Sequence, residues 1–521
     1  MVVVANELGD LCTRMWRSLG GAADVAEVLT VSGPRAVLPA YFDVTGLATA
    51  AVACATLAAA EFLAAREVSR PRPVSVDSSA ACAAFAAEGL FTPVGWSLPD
   101  LWDPIAGNYR AEDGWIRLHT NYPYHRAAVE RVLGADDRPA VAAAALRWKA
   151  GDLEAAVVSA GGCAAVMHAR ETWLASAPGA ATATATPVVV SERRLPAGRA
   201  PAESDSPLSG TASPFSGVRV LDMTRVIAGP VCTKFLAAYG AQVLRLDPPG
   251  FAEVPALLPE TTAGKRTAAL DLRVDADRGI FENLVADADV LVTGLRADAL
   301  AGLGYGDGTL TAINPALIVA SLNAYGWDGP WRHRRGFDSL VQMSCGIAAA
   351  GSLAVGRDEP FPLPVQALDH ATGYLLAAAV GRALTRRLTR STVSRIRASL
   401  IGTANLLWSL PRPADLPPAP SPGDFELVDT NTEWGPARRV PLPGSIAGVT
   451  AAWQIGAGPL GRHYPAWLGV EVFADGSIDE QRFPCPASRD EFRGVPEVVV
   501  SNPLPRRTSG AQRDLFDGRL A

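Results

Sequence analysis

Short apolar runs alternate with helical stretches through the middle of the chain, and this alternation is the strongest structural signal in the sequence. GVRVLDMTRV carries an apolar run at 218–221, and after Gly229 and Pro230 the stretch VCTKFLAAYG reads as a helix closed by Gly240. AQVLRLD supplies a second strand ending at Asp247, and further runs of buried type lie at 290–292 (in ADVLVTG) and 317–322 (in ALIVASLNAYG). Strands alternating with helices predict an α/β fold built on a doubly wound parallel sheet covered on both faces. The first 195 residues follow another pattern. An Ala-rich helix is succeeded by GNYRAEDGWIRLHTN, in which Gly107 and the Asp113-Gly114 pair flank two short strands of a hairpin. Helical stretches HRAAVERVLG and AVAAAALRWKAGDLEAAVVSAGG come next, which is the pattern of a smaller α+β domain.

Low-complexity stretches divide these regions. Ala-Thr repeats at 179–187 lead into a Pro/Ser/Gly-rich run, and PRPADLPPAPSPGD forms a second one. Segments of this composition bury too little apolar area to hold one conformation, so they read as linkers. The expected organisation is an Ala-rich helix with a small α+β domain at 1–195, a linker at 196–214, a large domain at 215–410, and a Pro-rich linker at 411–424. A return segment to the large domain at 425–470 and an unassigned tail at 471–521 complete it. Residues 44–63 approach the length of a bilayer span, but they are mostly Ala and Thr and include Glu61. Alanine contributes little transfer free energy, so a buried helix is expected there and no membrane partner. Residues 42–66 also echo 368–388: each segment places an Asp near a Gly and runs into an Ala-rich helix, by shared composition or by duplication.

Composition narrows the function classes. A chain of 521 residues with 49% hydrophobic residues exceeds one compact core and is too apolar to be disordered. A formal net charge of −6 gives no basic footprint, so no nucleic-acid partner is expected. Seven scattered cysteines without a C-x-x-C pair predict free thiols in a reducing cytoplasm and no metal site. The N-terminus lacks a basic region ahead of an apolar core and does not read as a secretory signal. The first strand leads into DMTRVIAGP in place of a glycine triplet, which disfavours NAD or FAD, and G-x-S-x-G, Walker A and H-E-x-x-H patterns do not occur.

Candidate chemistry centres on Asp369, at the start of an apolar helix in PLPVQALDHATGYLL. An Asp there either caps free backbone N–H groups or, with a reference pKa of about 3.9, stays ionised at neutral pH and acts as a nucleophile without a separate base. A second cluster, GWDGPWRHRRGFDSLVQMSCGIAAAG, brings together Arg332, His333, Arg334 and Arg335. It reads equally as a solvated loop or a phosphate site, while Gln342, Ser344 and Gly346 suggest close backbone packing near a ligand. Lys265 and Arg266 precede a strand beside Gly264, as solvent contacts or as holders of a diphosphate.

Taken in order, these motifs resemble family III CoA-transferases, the formyl-CoA and carnitine CoA-transferase family that includes the α-methylacyl-CoA racemases. GVRVLDMTRVIAGPVCTKFLAAYGAQVLRLDPPG resembles the opening of the family's large domain, and GKRTAALDL, ADVLVTGLRADALAGLGY, the GWDGP run and PVQALDHATGYLL follow in the family's sequence over residues 217–400. EWGPARRVPLPG resembles the return to the large domain, and GNYRAEDGWIRLHTN the small domain, which here precedes the large one. The resemblance implies a Rossmann-like large domain, a small domain, and an interlocked homodimer. It also implies CoA transfer between an acyl-CoA and a carboxylic acid through a covalent intermediate on Asp369, with coenzyme A as substrate and oxyanion support from the helix start. The family's CoA contacts fall on Ala228, Lys265 and Arg266. Three positions depart from the family pattern: Phe337 stands where the racemase branch has a catalytic His, and Pro248 and Gly302 replace usual basic residues. The first disfavours racemisation, and the others each remove about 1.5–3 kcal/mol of hydrogen bonding to charged groups. A degenerate, non-catalytic CoA-binding homologue or subunit is the main alternative, and an acyl-CoA racemase the lesser one.

Overall fold

A computed structural model of the chain describes residues 2–195, 213–413 and 416–468, with side chains described from residue 7 onward. Apart from its last two residues, the expected linker at 196–214 lies outside the described residues, as does the tail at 471–521. The centre is a seven-stranded sheet. Its strands are β1 (Val188–Arg194), β2 (Arg219–Met223), β3 (Gln242–Asp247), β4 (Lys265–Ala269), β5 (Val290–Thr293), β6 (Ile318–Asn323) and β7 (Thr392–Ser399), in the order β4-β3-β2-β5-β6-β7-β1. Every neighbouring pair is parallel except β7 and β1, which are antiparallel. Alternate residues of one strand enter different cores. Val220, Val243, Val290 and Ile318 join one cluster of buried residues, and Leu221, Leu244, Leu291 and Val319 join another. The sheet is therefore covered on both faces, which explains why its inner strands read as continuous apolar runs.

The first 195 residues do not form one unit, because they contribute to two different cores. Residues 188–194 serve as edge strand β1 of the main sheet. A separate lobe holds a three-stranded antiparallel sheet, Gly107–Arg110, Trp115–Leu118 and Ala164–Val166, covered by helices Pro123–Leu133, Arg138–Ala145 and Ala150–Ser159. Ile105, Ile116, Leu118, Val129, Leu153 and Val157 form its own buried cluster. The Ala-rich helix α1 (Val44–Glu67) instead belongs to the main core. It is long and apolar enough to cross a membrane, yet 94% of its most apolar window is buried inside the protein. A helix hydrophobic on all sides is one surrounded by protein, and here the neighbours supply the apolar surroundings.

The main partner of α1 is α4 (Ala367–Arg390), the helix that carries Asp369. Close approach depends on small residues, since a Cβ at Gly381 would lie 3.2 Å from the Cβ of Ala58. The sequence echo between these helices extends to their surroundings. Both have 24 residues, and each ends at a non-glycine residue in left-handed conformation, Val68 (φ 51°) and Ser391 (φ 52°). Each leads to a strand paired in parallel with the strand before the helix: Val74–Asp77 beside Leu29–Ser32, and β7 beside β6. Each of these strands ends in a residue whose side chain caps the next helix, Asp77 and Ser399.

The return segment crosses both halves. Val428–Thr432 and Gly435–Arg439 form a hairpin that pairs with Thr92–Pro93, whereas His463 donates its backbone N–H to Thr267 of β4 at 2.8 Å. Replacing Gly381 with Leu inserts a branched side chain into the α1–α4 crossing, where overpacking costs about 1–3 kcal/mol. A lowered thermal midpoint is expected for this variant, and an unchanged midpoint would contradict the crossing.

Candidate active site

Asp369 is the third residue of α4, so it is not the helix cap. Gln366 occupies the cap position and contributes no side-chain hydrogen bond. The acceptor comes from a distant residue. Asp338, at the start of α3 (Asp338–Ser344), accepts the backbone N–H of Leu368 at 2.8 Å and of Asp369 at 3.0 Å through Oδ2. Its Oδ1 accepts from Gln342 Nε2 at 2.5 Å, and Gln342 Oε1 in turn accepts the N–H of Leu363 at 2.8 Å. The other N–H groups of the first turn are also used, Ala367 toward Val365 O and His370 toward Gln366 O. The expectation that this helix start holds an oxyanion is therefore corrected, because its donors are already bonded.

Charge in this pocket is one-sided. Burial, with Asp338 and Glu88 nearby, raises the Asp369 carboxyl well above the ordinary carboxylate range. Burial pushes Asp338 up to about 6 against the hydrogen bonds it accepts from Gln342 and the two backbone N–H groups. Two acids sharing a desolvated site resist simultaneous ionisation. The Asp369 carboxyl is therefore harder to ionise than its reference value implies, because burial and the neighbouring acids disfavour its charged form. Glu88 is engaged with His370 Nε2 at 3.0 Å.

Asp369 lies where two cavities meet. The larger, of about 290 Å³, is lined by Ala228, Arg225, Arg296, Arg335 and Tyr124 as well as Asp369. It opens at the carboxyl ends of β2, β5 and β6, where ligands of open α/β sheets bind. Arg225 and Leu295 also line a neighbouring cavity formed by Leu246, Asp247, Pro248 and Leu272 beyond β3. On the other side of Asp369 a smaller cavity of about 80 Å³ is lined by Trp102 and His119 of the lobe together with Phe337, Ser339 and Val365. Asp369 thus lines two of these spaces, and the third shares Arg225 and Leu295 with the larger one.

Of the residues singled out in the sequence, Ala228 and Asp369 share a cavity, whereas Lys265 and Arg266 do not line it. Lys265 is fully buried, donating to Asp222 Oδ2 at 2.9 Å and Pro230 O at 3.2 Å, and burial draws its ammonium down to about 8 against the pull of Asp222. Arg266 donates to the carbonyls of Ala466 and Tyr464 on the return segment. Lys265 is thus paired with Asp222 and Arg266 with the return segment, and neither lines the cavity that Asp369 lines. The 332–335 patch divides as well. Arg334 bonds Glu154 and the carbonyl of Ala164, and Arg335 the carbonyl of Gly161, docking the loop onto the lobe; His333 stays half exposed beside Asp298. Gly346 (φ 89°) packs against the backbone of Arg170, since a Cβ there would lie 2.6 Å from Arg170 N, so its close packing serves a neighbouring helix and not a ligand. The sequence reading did not single out Arg225, Arg296 and His119, although each lies in a stretch quoted for the resemblance, nor Glu88, and it gave Asp338 no role.

The sequence profile of CoA-transferase family III matches residues 215–415. The chain is 33% identical over 196 residues to an acetyl-coenzyme A transferase from Hypoxylon pulicicidum, covering 37% of this chain and 33% of that protein. It is 31% identical over 235 residues to a probable fatty acyl-CoA transferase from Mycobacterium tuberculosis, covering 42% and 59%. It is 30% identical over 198 residues to a formyl-CoA:oxalate CoA-transferase from Rhodopseudomonas palustris, covering 36% and 46%. These matches thus span between a third and three-fifths of the relatives' length. A crystal structure of the Mycobacterium tuberculosis protein superposes with a TM-score of 0.36 at 31% identity, over 38% of this chain and 57% of that one. Residues 215–415 of this chain thus match CoA-transferase family III.

Proposed function

We propose that the chain transfers coenzyme A between an acyl-CoA and a carboxylic acid through covalent intermediates on Asp369. The observation that supports this reading is the position of Asp369 on the wall of two cavities, the larger at the carboxyl ends of the strands and the smaller beside the lobe. The strand order, read as Rossmann-like with the lobe as small domain, puts the cleft at the carboxyl ends of the strands. CoA would lie along it, with its nucleotide beyond β3, its diphosphate near Arg225 and Arg296, and its thioester at Asp369. Ala228 opens α2 (Ala228–Ala238), which begins without a side-chain cap, so N–H groups of that helix start suit the oxyanion in place of those of α4. A Cβ at Gly373 would lie 2.5 Å from Ala228 O, so glycine there lets the two helix starts approach each other.

In this mechanism the Asp369 carboxylate attacks the thioester carbonyl, the C–S bond breaks, and a mixed anhydride and CoA thiolate form. The thiolate attacks the Asp369 acyl carbon and releases the donor acid as a carboxylate. The acceptor carboxylate then attacks this aspartyl thioester, and the thiolate finally takes the acceptor acyl group and frees Asp369. No proton is consumed. The six described cysteines are all buried and free, which supports a cytoplasmic setting.

Asp369→Ala is expected to abolish hydroxylamine-trapped modification at residue 369 and to lower CoA exchange by at least about a thousandfold. Undiminished exchange, read by mass spectrometry of the acyl-CoA pool, would remove this reading. Because only the ionised carboxyl attacks and its affinity for the proton is raised, acylation of Asp369 should increase with pH above the usual carboxylate range. Replacing Asp338 with Asn keeps an acceptor for the two N–H groups but removes the like charge. The rising limb of the pH–rate profile should then move to lower pH, a shift that a purely structural role would not produce.

A further inference from the structure

The small cavity beside Asp369 carries polar groups that the transfer chemistry does not use. His119 lines it and is 4% exposed, and its Nδ1 has no hydrogen-bond partner among the described residues. Its ring lies flat on Phe337, with centroids 3.7 Å apart and planes 4° apart, and Trp102 meets its edge at 5.8 Å. Aromatic packing on Phe337 and Trp102 thus fixes the plane of the imidazole. Ser339 lines the same cavity, is 6% exposed, and its Oγ also lacks a partner. Asn121, another polar lining residue, is already engaged, accepting from Asp103 N and donating to Leu101 O. Burial, with Arg117 and His125 nearby, holds the His119 imidazole well below its ordinary value, so it is neutral. Among the described residues no Lys or Arg lines this cavity, while Glu88, Asp338 and Asp369 do.

Buried polar atoms without partners cost free energy unless something pairs with them, and a site built to hydrogen-bond a hydroxyl or carbonyl rejects ligands lacking it. A carboxylate would enter this cavity with no cation to meet it and with acids on the wall. Resting on the function proposed above, we infer that the cavity is the acyl subsite and that His119 and Ser339 select a short monocarboxylic acid bearing a neutral hydroxyl or keto group over a dicarboxylic acid. His119 comes from the lobe and Ser339 from α3, so the selectivity would be assembled from both parts of the chain.

The test is calorimetric titration of the intact protein with three four-carbon acids, 3-hydroxybutyrate, butyrate and succinate. The hydroxy acid is expected to bind about tenfold more tightly than butyrate, the scale of one net hydrogen bond, and succinate no better than butyrate. His119→Phe keeps the ring stack and Ser339→Ala keeps the backbone. Each should reduce affinity for the hydroxy acid more than affinity for butyrate, so that the preference falls. Equal or absent binding of 3-hydroxybutyrate, tighter binding of succinate, or a preference unchanged in both variants would overturn the inference. This readout needs no turnover, so it stands apart from the trapping experiment at Asp369, whose failure would instead remove the transferase reading.

Discussion

The Asp338 carboxylate is the contact on which the cleft depends. It accepts the two N–H groups that open the Asp369 helix, and each of those left unpaired in the interior would cost about 1–3 kcal/mol. Capping from 31 residues away fixes where the helix begins and hence where its third side chain lies. The same contact brings a second acid beside the first in a desolvated pocket. Helix placement and nucleophile protonation are thereby joined: the group that aims Asp369 also raises its affinity for the proton. Gln342 holds Asp338 from the other side and ties it to the strand-like segment at Leu363.

Buried charges elsewhere act as joints. Glu253 accepts from Arg245 Nη2 at 2.9 Å, from Tyr122 of the lobe at 2.7 Å, and from the N–H of Val226 at 3.2 Å. One carboxylate thus links β3, the lobe and the loop that leads to Ala228. Val226 has a left-handed backbone (φ 62°), a strained conformation for a β-branched residue, which this contact helps to hold. Asp222 gathers Lys265, Thr224 and Thr233 at the end of β2 in a similar way. Such buried pairs contribute little net stability against a hydrophobic replacement, but removing one partner leaves an uncompensated charge, so they define geometry.

The repeated strand–helix–strand–helix unit gives the chain two similar halves with different fates. Asp43 caps its own helix by accepting from Gly46 N and is held bidentately by Arg35 at 2.6 and 2.7 Å. Asp369 lies in the first turn of its helix, has no ion-pair partner among the described residues, and lines two cavities. The first half therefore offers a packing surface for α4, and only the second carries a candidate nucleophile.

The alternation of apolar runs and helices was legible because strands covered on both faces must be apolar along their length, and β2, β3, β5 and β6 lie where those runs do. β7 escaped notice because Arg395 and Arg397 break its run, and β1 because most of its residues are exposed at the sheet edge. Ala228 and Asp369 were legible as motif residues at helix starts. Lys265 was misleading: its type suits a phosphate, but whether an ammonium meets a ligand or an aspartate depends on which neighbour the fold places within 3 Å. The sequence by itself determined the inner strands β2, β3, β5 and β6, the hairpin and the helix that bears Asp369, since these follow from local periodicity and turn chemistry. Only the tertiary structure decided that Asp338 caps that helix, that His119 arrives from the lobe, and that the acids share one pocket. Those contacts join residues tens to hundreds of positions apart, and no local pattern encodes a distance across the fold.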